Sequence, residues 1–263
     1  MRIRRVTAVL LAAMLAAMLM VAAAAAEKED TATQLRFKIE SRYHVSVLMG
    51  EECVSVPTGG FELQITPENP SLFQWLYRGE NQYTEVLRGL DRALSAYPGG
   101  FFRNFRSADG DSRLQFLIGD RIVRRGQTYG GMTVSDASGH SSVFLSANAA
   151  DIEASVHRAL WYVMEARILF KAPAVLDDWQ DLNPEGFAYE DEDSILPETA
   201  EDPDEWFVSE AARQNEKEDR AAVFEAYMTG DSTLGEGHPH LRAKLDFLLV
   251  RIRGVFKVKN FGR

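Results

Sequence analysis

Residues 156–165, VHRALWYVME, decide how this chain is read. Together with the ARILF that follows, they place apolar side chains at helical spacing. Asn148 or Asp151 stands ahead as a cap and Pro173 stops the run, so the stretch predicts one long helix. Trp161, Tyr162, Met164, Ile168 and Leu169 are its expected core residues. His157 is a lone histidine on that helix, and by itself it signals nothing.

Working outward, Val86, Leu87, Leu90 and Leu94 recur at helical spacing from Tyr83 on, until Tyr97-Pro98-Gly99-Gly100 ends that helix. YHVSVLM (43–49), FELQI (61–65), RLQFLI (113–118) and HSSVFLSA (140–147) read as strands, with Gly59-Gly60 marking a turn. Beyond Pro173, helices are expected over 216–229 and over 240–257. The second has a stripe of Leu241, Leu245, Leu248, Leu249, Ile252 and Phe256, with its Arg and Lys residues on a solvated opposite face. Between Pro173 and these helices lies an acidic stretch, 177–219, with 17 Asp and Glu against Arg213 and Lys217. It also carries Trp179, Phe187, Tyr189, Trp206 and Phe207, a density of aromatics that a disordered tail lacks, so it is expected to fold over something. Residues 27–41 are polar and read as a frayed lead-in. The fold class is α+β: a small mixed sheet of three to five strands, with the 150–171 helix beneath it and a helical C-terminal half.

With 263 residues and 46% hydrophobic content the chain can bury a sizeable core without disulfides, and Cys53, its one cysteine, reads as a small buried side chain. Arg2, Arg4 and Arg5 precede an apolar, Ala-rich run that ends before Glu27, the pattern of a signal peptide over 1–26; a membrane anchor is the alternative. The organisation expected is therefore a signal peptide (1–26), an N-terminal α/β lead-in region (27–82) and one further domain (83–263). Removal of 1–26 takes three arginines and no acid, so the net charge moves from −10 to −13, a surface that repels nucleic acid and anionic lipid. The expected location is extracytoplasmic, with no membrane span after signal cleavage.

A zinc peptidase helix needs two imidazoles four residues apart, with a glutamate directly after the first to take a proton from metal-bound water. Set on that HExxH pattern, residues 157–161 read HRALW. His157 supplies the first imidazole. Arg158 stands at the base position, where a guanidinium cannot accept a proton, and Trp161 stands at the second ligand position, where an indole has no lone pair for a metal.

The surrounding segments ALSAYPGGFFRNF (93–105), WQDLNPEGFAY (179–189) and FVSEAARQNEKEDRAAVFEAYM (207–228), with the strand ahead of the His157 helix and the long closing helix, resemble zinc-binding metallopeptidases of the gluzincin kind. The catalytic lobe of that family is similar to that of lethal-factor-type toxins. The resemblance covers about residues 83–257 and implies a zincin-like fold with a cleft between its halves. It makes His157, Trp161 and Glu218 vestigial ligand positions. It puts Ala211 where such enzymes carry a tyrosine for the tetrahedral intermediate, and Ala222 where a further glutamate is usual. Trp179, Tyr189 and Asp219 are the cleft candidates. Four departures in one site (Arg158, Trp161, Ala211, Ala222) imply a pseudopeptidase that binds no metal. His157 is then expected to hydrogen-bond a nearby carboxylate, and Arg158 to pair with Glu218 where zinc would sit.

Three functions remain open from sequence. The first is an exported binding or regulatory protein whose acidity favours a basic peptide or protein. The second is an active zinc hydrolase that recruits His140 or His238 to His157 and Glu218. The third is a structural envelope protein with a filled cleft. Glu165 lies two turns, about 12 Å, from His157 and cannot share its metal. His238 and His240 read as a loop leading into a helix, and Glu190–Asp193 as a solvated acidic turn lacking calcium-loop spacing.

Overall fold

The computed structural model describes residues 32–65, 81–107, 111–189, 205–235, 237–259 and 261, and it is a mixed α+β fold. The expected signal segment, residues 27–31 of the lead-in and the acidic turn at 190–193 lie outside the described residues. Helix α1 covers 32–43, β1 Ser46–Met49, β2 Glu62–Gln64 and α2 Asn81–Ser95. Next come β3 (Leu114–Gly119), β4 (Arg121–Arg124), β5 (Gln127–Tyr129), β6 (Gly131–Ser135) and β7 (Ser141–Ser146). The last three helices are α3 (Ile152–Lys171), α4 (Glu216–Thr229) and α5 (Pro239–Phe256).

The main sheet has the order β1-β3-β7-β6, with β1, β3 and β7 parallel and β6 antiparallel on the edge. Every residue of β7 is buried, and all but one of β3, which is why both read as short apolar runs without alternation. A second sheet, β2-β4-β5, is antiparallel and was not expected. Its β4–β5 hairpin turns through Arg125 (φ 50°) and Gly126 (φ 79°), two left-handed residues that match the strand twist.

The polar lead-in is corrected in part: 32–43 is a helix, not frayed chain. Ala32, Ile39 and Tyr43 are buried, with Leu35 packed against them, an apolar stripe at helical spacing. The stripe is locked by Tyr43, whose hydroxyl donates to the Asp91 carboxylate on α2 at 2.9 Å, and by Lys38, whose Nζ lies 3.0 Å from the same carboxylate. β1 pairs directly with β3, and Val45 and Val47 join the main core, while β2 belongs to the second sheet.

Helix α3 begins at Asp151, whose side chain accepts from Ala154 N at 2.9 Å, and it crosses beneath the sheet against β6. There Thr133 Oγ1 donates to Ala159 O at 2.9 Å. Gly131 permits this approach, because a Cβ at that position would lie 3.0 Å from Ser155 O. Helix α4 starts at Asn215, which caps Glu218 N, and ends at Gly230 in the left-handed conformation. The described parts of the acidic stretch do fold inward: Trp179 and Phe207 are buried. Among the described residues no helix is long and apolar enough to cross a membrane.

Candidate functional site

The seam between α3 and α4 carries the chemistry-bearing side chains. Arg158 extends from α3 between two carboxylates that stand two helical turns apart on α4. Its Nη2 is 2.5 Å from Glu218 Oε2, and its Nη1 is 2.9 Å from Glu225 Oε2. The other Glu218 oxygen accepts from the Tyr162 hydroxyl at 2.7 Å. Burial alone would lower the Arg158 pKa, but its anionic surroundings outweigh that and hold the guanidinium firmly charged. Burial and the Glu218 charge push the Tyr162 hydroxyl well above its ordinary value, so it stays a donor.

The expected Arg158–Glu218 pair is present, but the phase of the helix differs from the sequence reading. Residues i and i+4 share a helix face. The pair that meets Glu218 is Arg158 and Tyr162, one residue later than His157 and Trp161. His157 is buried instead, its Nδ1 3.1 Å from the Tyr97 hydroxyl and its ring 5.6 Å from that ring. Trp161 is fully buried with its ring 5.2 Å from Phe224 of α4. Advancing one residue rotates a side chain about 100° around the helix, enough to move it from the polar seam into the core.

A second tier lies deeper. Arg220 joins Glu165 (2.6 Å) to Glu216 (2.9 Å), and burial raises the Glu165 pKa despite its cation. Glu165 is thus a tie between helices.

The third tier corrects two expectations. Lys244 of α5 is fully buried rather than solvated, its Nζ 2.7 Å from Asp219 and 2.8 Å from Trp206 O, and 4.0 Å from the Phe207 ring centroid. The cleft candidates Trp179, Tyr189 and Asp219 are brought together, but as this interior network: Trp179 Nε1 and the Tyr189 hydroxyl donate to Asp219 Oδ2 at 3.1 and 2.6 Å. An aromatic shell around a carboxylate favours burial once a lysine can reach it. Burial pushes the Asp219 pKa up and the Lys244 pKa down.

Ala211 lies in the short 3-10 turn Glu210–Arg213 ahead of α4, and Ala222 packs on Phe207 and Ala212. Neither offers a polar group. His140 is held in the β6–β7 turn by Ser138 and Asp136, and His238 is the residue before α5, so neither is brought to Glu218 by these contacts. His240 stacks on Trp206. Cys53 is buried, and burial pushes its thiol up to about 12.

Glu218, the carboxylate of the expected ligand set, is bonded to a cation with no lone pair. Among the described residues no three His, Cys, Asp or Glu side chains are grouped as a metal needs. Two cavities adjoin at the starts of β3 and β7, and neither is lined by Arg158, Tyr162, Glu218 or Trp161.

No protein-family model, curated protein or solved structure matches this chain. The geometry therefore carries the functional reading.

Proposed function

We propose that the chain is an exported, zincin-like protein that has lost peptidase chemistry and acts by binding. The observation that supports this is the occupation of Glu218: one oxygen on the Arg158 guanidinium, the other on the Tyr162 hydroxyl. The resemblance makes His157, Trp161 and Glu218 the ligand positions, and of these Glu218 alone lies on the Arg158 guanidinium. The base position itself is Arg158, whose guanidinium cannot accept a proton. A fixed internal cation stands in for the metal charge, keeping the two helices together without a reactive centre. Exposed acids on the segment after α3 (Asp177, Asp178, Asp181, Glu185) give a basic peptide or protein surface as the partner class.

Elemental analysis after dialysis against trace zinc tests the first half. The native chain is expected to hold far less than one zinc, and His157→Ala to change nothing. The double variant Arg158→His/Tyr162→His is expected to gain one zinc that Glu218→Gln removes. A native chain with one zinc, lost on replacing either His157 or Glu218, would return the hydrolase reading. For the second half, salt-sensitive binding of basic but not acidic peptides is expected. Equal affinity for both peptide types would leave a structural protein, a reading favoured by the close packing of Trp161 on Phe224 between α3 and α4.

A further inference from the structure

The larger of the two cavities, about 300 Å³, opens beside the second half of α3 and has a different chemistry from the acidic surface. Three arginines line it, Arg106, Arg113 from the residue before β3, and Arg167 from α3. The Nε atoms of Arg113 and Arg167 are buried with no hydrogen-bond partner. Among the described residues no carboxylate forms a salt bridge with either, although the chain carries 39 acids. Arg113 is aimed by a hydrogen bond from Nη1 to Ser138 O at 3.1 Å, and Arg167 lies 5.8 Å from the Phe170 ring centroid.

The one acid in the wall, Asp136, stays charged but is bonded within the β6–β7 turn, its Oδ2 3.6 Å from His140 Nδ1. Its Oδ1 accepts from Ser138 Oγ (2.6 Å), Ser138 N (2.9 Å) and His140 N (3.0 Å), and these bonds, the Ser138 hydroxyl first, hold its carboxyl below the usual range. Cationic side chains lining one cavity repel one another, and an anion among them relieves that repulsion. Phe105, Val163 and the 78% exposed Phe170 add an apolar wall beside the charges. An exposed phenylalanine over an arginine-lined cavity suits a ligand with both a charged and an apolar end.

We propose that this cavity binds a small organic carboxylate bearing an apolar or aromatic body, the carboxylate between Arg113 and Arg167 and the body against Phe170. The site is separate from the α3–α4 seam, so it stands whether or not the peptidase reading does. Arg167 offers the cleaner variant, because Arg113 also supports the β6–β7 turn.

Calorimetric titration of the full chain with 3-phenylpropanoate, its neutral isostere 3-phenylpropanamide and inorganic phosphate tests the proposal. Saturable binding of the acid with Kd below about 10 mM is expected, with the amide and phosphate each at least about tenfold weaker. Arg167→Gln is expected to weaken the acid by about tenfold or more and leave the melting temperature unchanged. Phe170→Ala is expected to weaken the acid but not phosphate. Amide binding as tight as acid binding, or an Arg167→Gln chain that folds and binds the acid normally, overturns the proposal. Phosphate as tight as the acid overturns its apolar half.

Discussion

Arg158 of α3 and Glu218 of α4 approach to 2.5 Å, and Arg158 holds Glu225 with its other terminal nitrogen. The three side chains are each a little over one quarter exposed, between the weak surface pair and the costly buried one. Arg158→Ala leaves two carboxylates facing each other across one α4 face. It is expected to destabilise the fold by about 1–3 kcal/mol. Lysine has no fork and restores only part. Urea unfolding midpoints check this, and an Arg158→Ala chain as stable as the parent would show the pair to be ornamental.

Trp161 packs in the core against Phe224, and its Nε1 has no hydrogen-bond partner. Trp161→Phe therefore loses volume without stranding an acceptor and is expected to cost about 1–2 kcal/mol, whereas Trp161→Ala opens a cavity and costs about 3–5 kcal/mol. Equal losses in the two variants, read by denaturant unfolding, would point to a polar role for the indole.

For Lys244 and Asp219, both fully buried, the sign of a double-mutant cycle is informative. Lys244→Met strands the Asp219 charge and is expected to cost about 3–5 kcal/mol. Lys244→Met/Asp219→Leu is expected to regain most of that loss. A double variant as unstable as the single one would mean that the hydrogen bonds from Trp179 and Tyr189, rather than the ion pair, hold this region.

Asp91 anchors α1. Burial pushes its pKa up, but hydrogen bonds from Lys38 and Tyr43, with the Arg42 charge, outweigh it and depress the folded value below 3.8. A carboxylate depressed in the fold contributes stability that is present above the unfolded value and lost as pH falls through the folded value. The melting-temperature gap between the parent and Asp91→Asn should be full near pH 6 and shrink below about pH 4. A gap that stays constant down to pH 2.5 would separate α1 docking from this charge.

How far the fold could be read depended on local signals. Helices α2 to α5 announced themselves by apolar spacing and by stops such as Pro173, and the run over 216–229 matches α4 end to end because Asn215 and Gly230 cap it. Helix α1 was missed because only Ala32, Leu35, Ile39 and Tyr43 mark its buried side, among charged neighbours that mask the period. The β4–β5 hairpin turns on Arg125-Gly126, a pair without the Asn or Asp that usually marks such turns. In the seam, Arg158 meeting Glu218 was legible from residue type and spacing. Tyr162 was not, because an aromatic in an apolar helix reads as core until its hydroxyl is seen on Glu218. Lys244 was hidden likewise: whether a lysine faces water depends on an acid 25 residues earlier in the chain.

That separation has an outcome for synthesis. As the chain emerges, Asp219 is made before Lys244, which reaches its Oδ2 in the finished fold. Until α5 arrives, closing Trp179 and Tyr189 over Asp219 would entomb a charge without its cation. Helix α5 therefore works as a latch on this part of the interior.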